Sequence, residues 1–264
     1  MKPELLGLNL YFTMWAIGAV VGSRVALRAA TRARFPKGRA LVGICVLVLT
    51  IILGSKLLFV VEHALFPDDP VFPLEESVGS LGEAGFRIPG GILLMAPVLI
   101  LIGRRLRLPT LAFADAVFPA VGLALVFIRF GCFLNGCCFG APTYLPLAIT
   151  FPKGSHPHRW QVGEGILFSM TEHSLPVHPL QLYFMLLGAV LYVLGARWQA
   201  HKRFDGQVWA NFYLLFFGGS FFLEFLRPKP LHLNLILTAT VVVATAFAAL
   251  RGRQAAPALA RASF

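Results

Sequence analysis

Residues 110–140, TLAFADAVFPAVGLALVFIRFGCFLNGCCFG, decide how this chain is read. From residue 110 to 133 the run is apolar, and as a helix it exceeds the about 20 residues needed to cross a bilayer. Its far end nonetheless holds Arg129, and Cys132, Asn135, Cys137 and Cys138 follow within nine residues. A permanent charge at that depth is costly and marks function by default. Thiols beside it supply nucleophiles or soft metal ligands. Gly131, Gly136 and Gly140 indicate that the chain leaves the helix tightly and lets backbone approach a ligand.

The composition around this stretch excludes a soluble domain. The chain is 57% hydrophobic and 13% charged, with a mean hydropathy of +0.75; soluble domains are about 25% charged. The expected fold is an all-α integral membrane protein with seven transmembrane helices, at about 5–27, 41–64, 89–103, 110–133, 178–197, 207–226 and 231–250. The third is short, which suggests a start in the preceding loop or a partly re-entrant path. The net charge of +11 raises nucleic acid as a partner, but its distribution follows the loops instead. One side receives 15 of the 23 basic residues, from Arg24 through Lys37 and Arg104 to Arg261. The other side receives Lys2, Arg87, Lys153, Arg159, Arg227 and Lys229. This asymmetry predicts an outer N-terminus and a cytoplasmic C-terminus. Residues 1–253 are expected to form one membrane domain, with a long outer loop at 139–177 and a cytoplasmic tail at 254–264. The first span shows no small-residue cleavage site and is expected to be retained.

With that topology, polar groups from five elements converge at outer-leaflet depth. Lys56, Glu62 and His63 end the second span; Arg129, Cys132 and Asn135 end the fourth; Glu224 and Arg227 end the sixth. Arg87 precedes the third, and His178 and Gln181 open the fifth. A polar chamber open to the outer face is therefore the expected site. Arg129 suits phosphate, and in a bilayer the obvious phosphate is a lipid head group. Lys56 and His63 are candidates for charge stabilisation and proton transfer. Lys56 can also snorkel, and Glu224 with Arg227 can form a structural i, i+3 ion pair. His156, His158 and His173 read as solvated loop residues, and Asp115 as a bond between neighbouring helices. Cys45, mid-span in an apolar setting, reads as packing. Cys132, Cys137 and Cys138 leave three readings open: a small disulfide loop, a reactive or ligating thiol set, or inert packing. No metal is assigned, and those three cysteines are the ligands if there is one.

Residues 128–151, IRFGCFLNGCCFGAPTYLPLAITF, resemble the signature of the bacterial prolipoprotein diacylglyceryl transferase family. Arg129, Gly131, Phe133, Asn135, Gly140, Pro142, Thr143, Leu145 and Pro146 match in register. Gly54-Ser-Lys56, Pro89-Gly90-Gly91, His178-Pro179-Leu-Gln181-Leu-Tyr183, Gly206-Gln207-Val208 and Phe222-Leu-Glu224-Phe-Leu-Arg227-Pro resemble further landmarks in the family's order. The similarity covers about residues 50 to 230 and implies a seven-helix fold. It departs where the family carries its chemistry. The family's histidine before Gly-Gly is Pro89 here, its signature asparagine is Cys132, and its signature glutamate is Cys137. Its arginine and tyrosine on the sixth span align with Ser220 and Phe216.

The resemblance implies a phospholipid-dependent transferase of lipoprotein biosynthesis in the bacterial inner membrane, working on the outer-leaflet side. Its partners would be a phosphatidylglycerol-like phospholipid, the membrane and a thiol-bearing protein acceptor, with no nucleic acid and no cofactor. Arg129, Asn135, Gly140, His178, Gln181, Glu224 and Arg227 would bind the lipid. Cys137 and Cys138 would carry altered chemistry, as a covalent relay, with Lys56 and His63 assisting. Two alternatives stand beside this: a thiol-redox or metal-handling membrane protein, and a non-catalytic lipid-binding homologue.

Overall fold

The computed structural model describes residues 4–5, 8–65, 86–229, 238–239 and 241–242. Two short strands, β1 (Glu4–Leu5) and β2 (Leu8–Asn9), pair antiparallel ahead of the first long helix. That helix, α1 (Leu10–Arg32), starts where the Asn9 side chain accepts from the Tyr11 N–H at 3.0 Å. It therefore begins and ends about five residues later than its expected span, because the hairpin takes up the first residues. There follow α2 (Lys37–Leu65), α3 (Ile88–Leu106), α4 (Thr110–Asn135), the short α5 (His156–Gly163), α6 (Leu180–Ala200) and α7 (Gln207–Glu224). The protein is thus an all-α multi-pass membrane protein.

Five helices, α1, α2, α3, α4 and α6, are long and apolar enough to cross a membrane. At 18 residues α7 has the length, but Gln207, Asn211 and Glu224 dilute its apolar content. The seventh expected span, 231–250, lies almost wholly outside the described residues. The third is no fragment: α3 is a continuous helix of 19 residues opened by Pro89 in its first turn, where proline's missing N–H costs nothing.

At the centre is α4, packed chiefly between α1 and α6, while α2 packs on α3. Small residues make these approaches possible. At Gly122 of α4 a β-carbon would come 2.8 Å from the Gly188 carbonyl of α6. In lipid, such close packing replaces the hydrophobic effect as the force between helices. The core holds Phe113, Phe118, Phe212, Phe216 and Phe217.

At the far end from the cysteines, Asp115 of α4 binds the start of α7. Its carboxylate accepts from the Gly206 N–H at 2.9 Å, the Trp209 N–H at 3.1 Å and Lys202 Nζ at 3.1 Å. A residue 91 positions away thus does the work of an N-cap. Cys45 differs from its expected packing role: it is exposed on α2, since the outward face of a membrane helix is as apolar as its inward face.

Residues 139–177 fold into a built cap rather than a plain loop. Isolated bridges join Pro142 and Ile149 to Val177, and Pro152 to His173. Phe139, Phe151, Trp160 and Val177 form their own small core. His158 is buried instead of solvated, with Nε2 3.1 Å from the Thr171 carbonyl.

Candidate functional site

The last two turns of α4 carry Arg129 and Cys132, both buried. Gly136 ends the helix in the left-handed conformation (φ 71°), with its N–H on the Phe133 carbonyl. Cys138 is left-handed too, at φ 59°, a conformation that a non-glycine side chain adopts at a cost. Two reversals within three residues fold the chain back on the helix end. They bring the sulfurs of Cys132, Cys137 and Cys138 within 4.8 Å of one another. All three thiols are free. Gln181 of α6 clamps the turn by donating to the Cys137 carbonyl at 2.7 Å.

A small cavity opens on these groups. Its walls are Tyr11 and Trp15 of α1, Phe59 of α2, Phe86, Arg87, Ile88, Arg129 and the three cysteines. The Arg129 side chain lies over the Phe184 ring of α6, 4.1 Å from its centre. No carboxylate pairs with it, and its Nε has no hydrogen-bond partner, among the described residues. The other buried charges among the described residues are matched. Arg87 Nε binds Glu62 at 2.5 Å, and Arg227 binds Glu224 at 2.9 Å. The Cys138 thiol, beyond the end of α4, titrates well below its ordinary value. Cys132 and Cys137 donate to it and the guanidiniums of Arg129 and Arg227 lie near, and together these outweigh burial.

The expected site residues therefore divide. Arg129, Cys132, Cys137 and Cys138 share the cavity. Lys56 stands behind its wall, 5.4 Å from the Phe59 ring and 5.1 Å from the Phe86 ring. Glu224 and Arg227 pair with each other. Gln181 reaches the site through backbone, and His178 Nδ1 lies 3.3 Å from the Tyr183 hydroxyl. Asn135 ends α4 half-buried, away from the cavity lining. Gly140 serves close packing: its N–H goes to the His178 carbonyl, and a β-carbon there would fall 2.5 Å from that of His178. The side chain of His63 lies outside the described residues. Missing from the expectation are Tyr11, Trp15, Phe59 and Phe86. Their aromatic character near span ends was the available signal, but such residues also serve as ordinary interface anchors.

Beside the cavity runs an apolar groove of about 170 Å³ between α1, α2 and α4. Trp15 lines both spaces, and Ile128 of the groove adjoins Arg129. Gly18, Gly22, Leu47 and Ile51 continue it along the helices. A largely aromatic pocket whose Arg129 has no carboxylate partner among the described residues, with an apolar groove beside it, fits an amphiphilic anion.

Comparison with known proteins agrees in kind. The family model described as prolipoprotein diacylglyceryl transferase matches residues 4–251. A phosphatidylglycerol–prolipoprotein diacylglyceryl transferase 2 of Clostridium perfringens is 27% identical over 231 residues, covering 86% of this chain and 82% of the relative. The phosphatidylglycerol–prolipoprotein diacylglyceryl transferase of Clostridium tetani is 28% identical over 236 residues, 87% of each chain. That of Bordetella parapertussis is 32% identical over 194 residues, 72% of this chain and 65% of the relative.

Proposed function

The chain belongs to the prolipoprotein diacylglyceryl transferase family and is a transferase, and from that premise we propose that it moves the diacylglyceryl group of a phosphatidylglycerol-like lipid onto a cysteine thiol of a prolipoprotein. The observation that carries this reading is Arg129, a buried guanidinium at a cavity wall with no carboxylate partner among the described residues. A buried unpaired cation is costly, so the site favours an anionic ligand. A lipid phosphate supplies the anion, and the guanidinium meets it with paired donors. The groove between α1, α2 and α4 offers its acyl chains an apolar seat.

In this reading the acceptor sulfur attacks the glycerol carbon, the carbon–oxygen bond breaks, and glycerol phosphate departs. Negative charge grows on the departing phosphate oxygen, where Arg129 stabilises it. Direct transfer is favoured over a covalent relay through Cys137 or Cys138. A relay would form a thioether on the protein, and a second thiol displaces a thioether only with great difficulty. The asymmetry of Lys and Arg between loops supports a site on the outer-leaflet side of a bacterial inner membrane.

Purified protein with phosphatidylglycerol labelled in its acyl chains, and a lipobox peptide bearing one cysteine, tests the proposal. The expected product is a labelled diacylglyceryl peptide, lost in Arg129→Gln. Phospholipid that co-purifies and never turns over would instead establish a non-catalytic lipid binder.

A further inference from the structure

We infer that Cys132, Cys137 and Cys138 form a three-thiolate site for a soft monovalent d10 cation of the Cu(I) class. The transferase reading leaves these thiols without a task, although Arg129 lines the cavity common to both sites.

Three observations carry it. The sulfurs lie within 4.8 Å of one another. A metal bound at about 2.3 Å in a trigonal plane needs sulfurs about 4.0 Å apart, so only a small contraction separates the free thiols from a ligand set. The backbone is also committed to this convergence. Left-handed Gly136 and Cys138 bend the chain back on α4, and Gln181 fixes the Cys137 carbonyl between them.

The kind of donor then selects the ion. Thiolates alone favour soft cations. Structural zinc is held by four ligands, and no histidine nitrogen or carboxylate oxygen joins the three sulfurs among the described residues. Three thiolates around a monovalent ion leave an excess of two negative charges. Arg129, which lines the same cavity, opposes that excess. The walls of Tyr11, Trp15, Phe59 and Phe86 keep the set from bulk water. Binding releases the thiol protons and needs no redox partner.

The test titrates fully reduced wild-type protein in detergent with acetonitrile-stabilised Cu(I), against a chromophoric Cu(I) chelator. Metal analysis, near-ultraviolet sulfur-to-copper absorption and maleimide labelling followed by intact mass are the readouts. We expect one copper per chain, three thiols protected, and Cys45 still labelled. Cys138→Ser should weaken binding by more than about tenfold, and Cys45→Ser should leave it unchanged. Copper no tighter than in the triple serine variant, or equal labelling of all four thiols with copper present, would overturn the site. Preferential retention of Zn(II) over Cu(I) would overturn the choice of ion. Protection of the wild-type thiols is decided without any variant, so misfolding of a serine variant leaves the test intact. Co-purified phospholipid, measured on the same samples, reports separately on the lipid site.

Discussion

The Arg129 guanidinium lies 4.1 Å from the centre of the Phe184 ring, so a helix later in the chain supplies the platform for the cation of an earlier one. The ring supports the guanidinium, and Arg129 also lines the cavity. Arg129→Lys keeps the charge and loses the planar fork. Transferase activity should fall about 10- to 100-fold, the range for losing charged hydrogen bonds. Phe184→Leu should cost less, mainly in apparent lipid affinity. Steady-state rates across a phosphatidylglycerol series check both, and a lysine variant as active as wild type would contradict bidentate phosphate binding.

Glu62 and Arg87 form a matched charge pair at the cavity rim, Glu62 being only 2% exposed. Arg87→Met leaves that carboxylate buried without its ion-pair partner. The loss in stability should approach about 3 kcal/mol, because stranding a buried charge costs more than the pair contributes. Glu62→Gln combined with Arg87→Met should recover much of it. Thermal unfolding in detergent distinguishes the single from the double variant, and equal melting temperatures would refute the pairing argument.

Asp115 anchors α7 through two backbone N–H groups and Lys202. Asp115→Ala should cost about 2 kcal/mol, the upper range for a lost helix cap. Lys202 adds a pH signature. Burial lowers its pKa, but hydrogen bonds to Asp205 and Asp115 outweigh this and raise it above the usual lysine value. A raised folded value means the contribution is full below the unfolded lysine pKa, about 10.4. It is then lost as pH rises through the folded value. Lys202→Met should flatten the alkaline limb of the stability profile and lie parallel to wild type below pH of about 9. Identical alkaline slopes in the two proteins would exclude the linkage.

Gly140→Ala should loosen the cap. The added methyl group meets the His178 β-carbon at 2.5 Å and the Leu226 carbonyl at 2.8 Å, both on fixed backbone. Limited proteolysis should cut residues 139–177 faster, with a lower melting temperature. Unchanged protection would show that the backbone yields there freely.

Much of the architecture was readable because a bilayer demands long apolar helices, and the run before Arg129 is one. Arg129 stood out for the same reason: charge is rare at that depth. Which face of a helix is buried was far less readable. Cys45 is exposed on α2, and no local pattern separates it from an inward residue when lipid and protein core are equally apolar. The site's distant partners were hidden by separation. Gln181 meets the Cys137 carbonyl across 44 residues, and Asp115 meets Gly206 across 91. Gly140 fits the family signature, yet what its missing side chain leaves room for is the backbone at His178 and Leu226, which only tertiary structure reveals.

The division of the site between α4 and α6 also dictates when it can exist. A chain under synthesis that has delivered α4 but not residue 180 carries Arg129 without Phe184 and the cysteine turn without Gln181. During that interval the arginine has no aromatic platform, and the thiols lack their clamp. Completion of this arrangement is therefore postponed until α6 is in place, and a chain abandoned before residue 180 carries the arginine and the thiols without the groups that hold them.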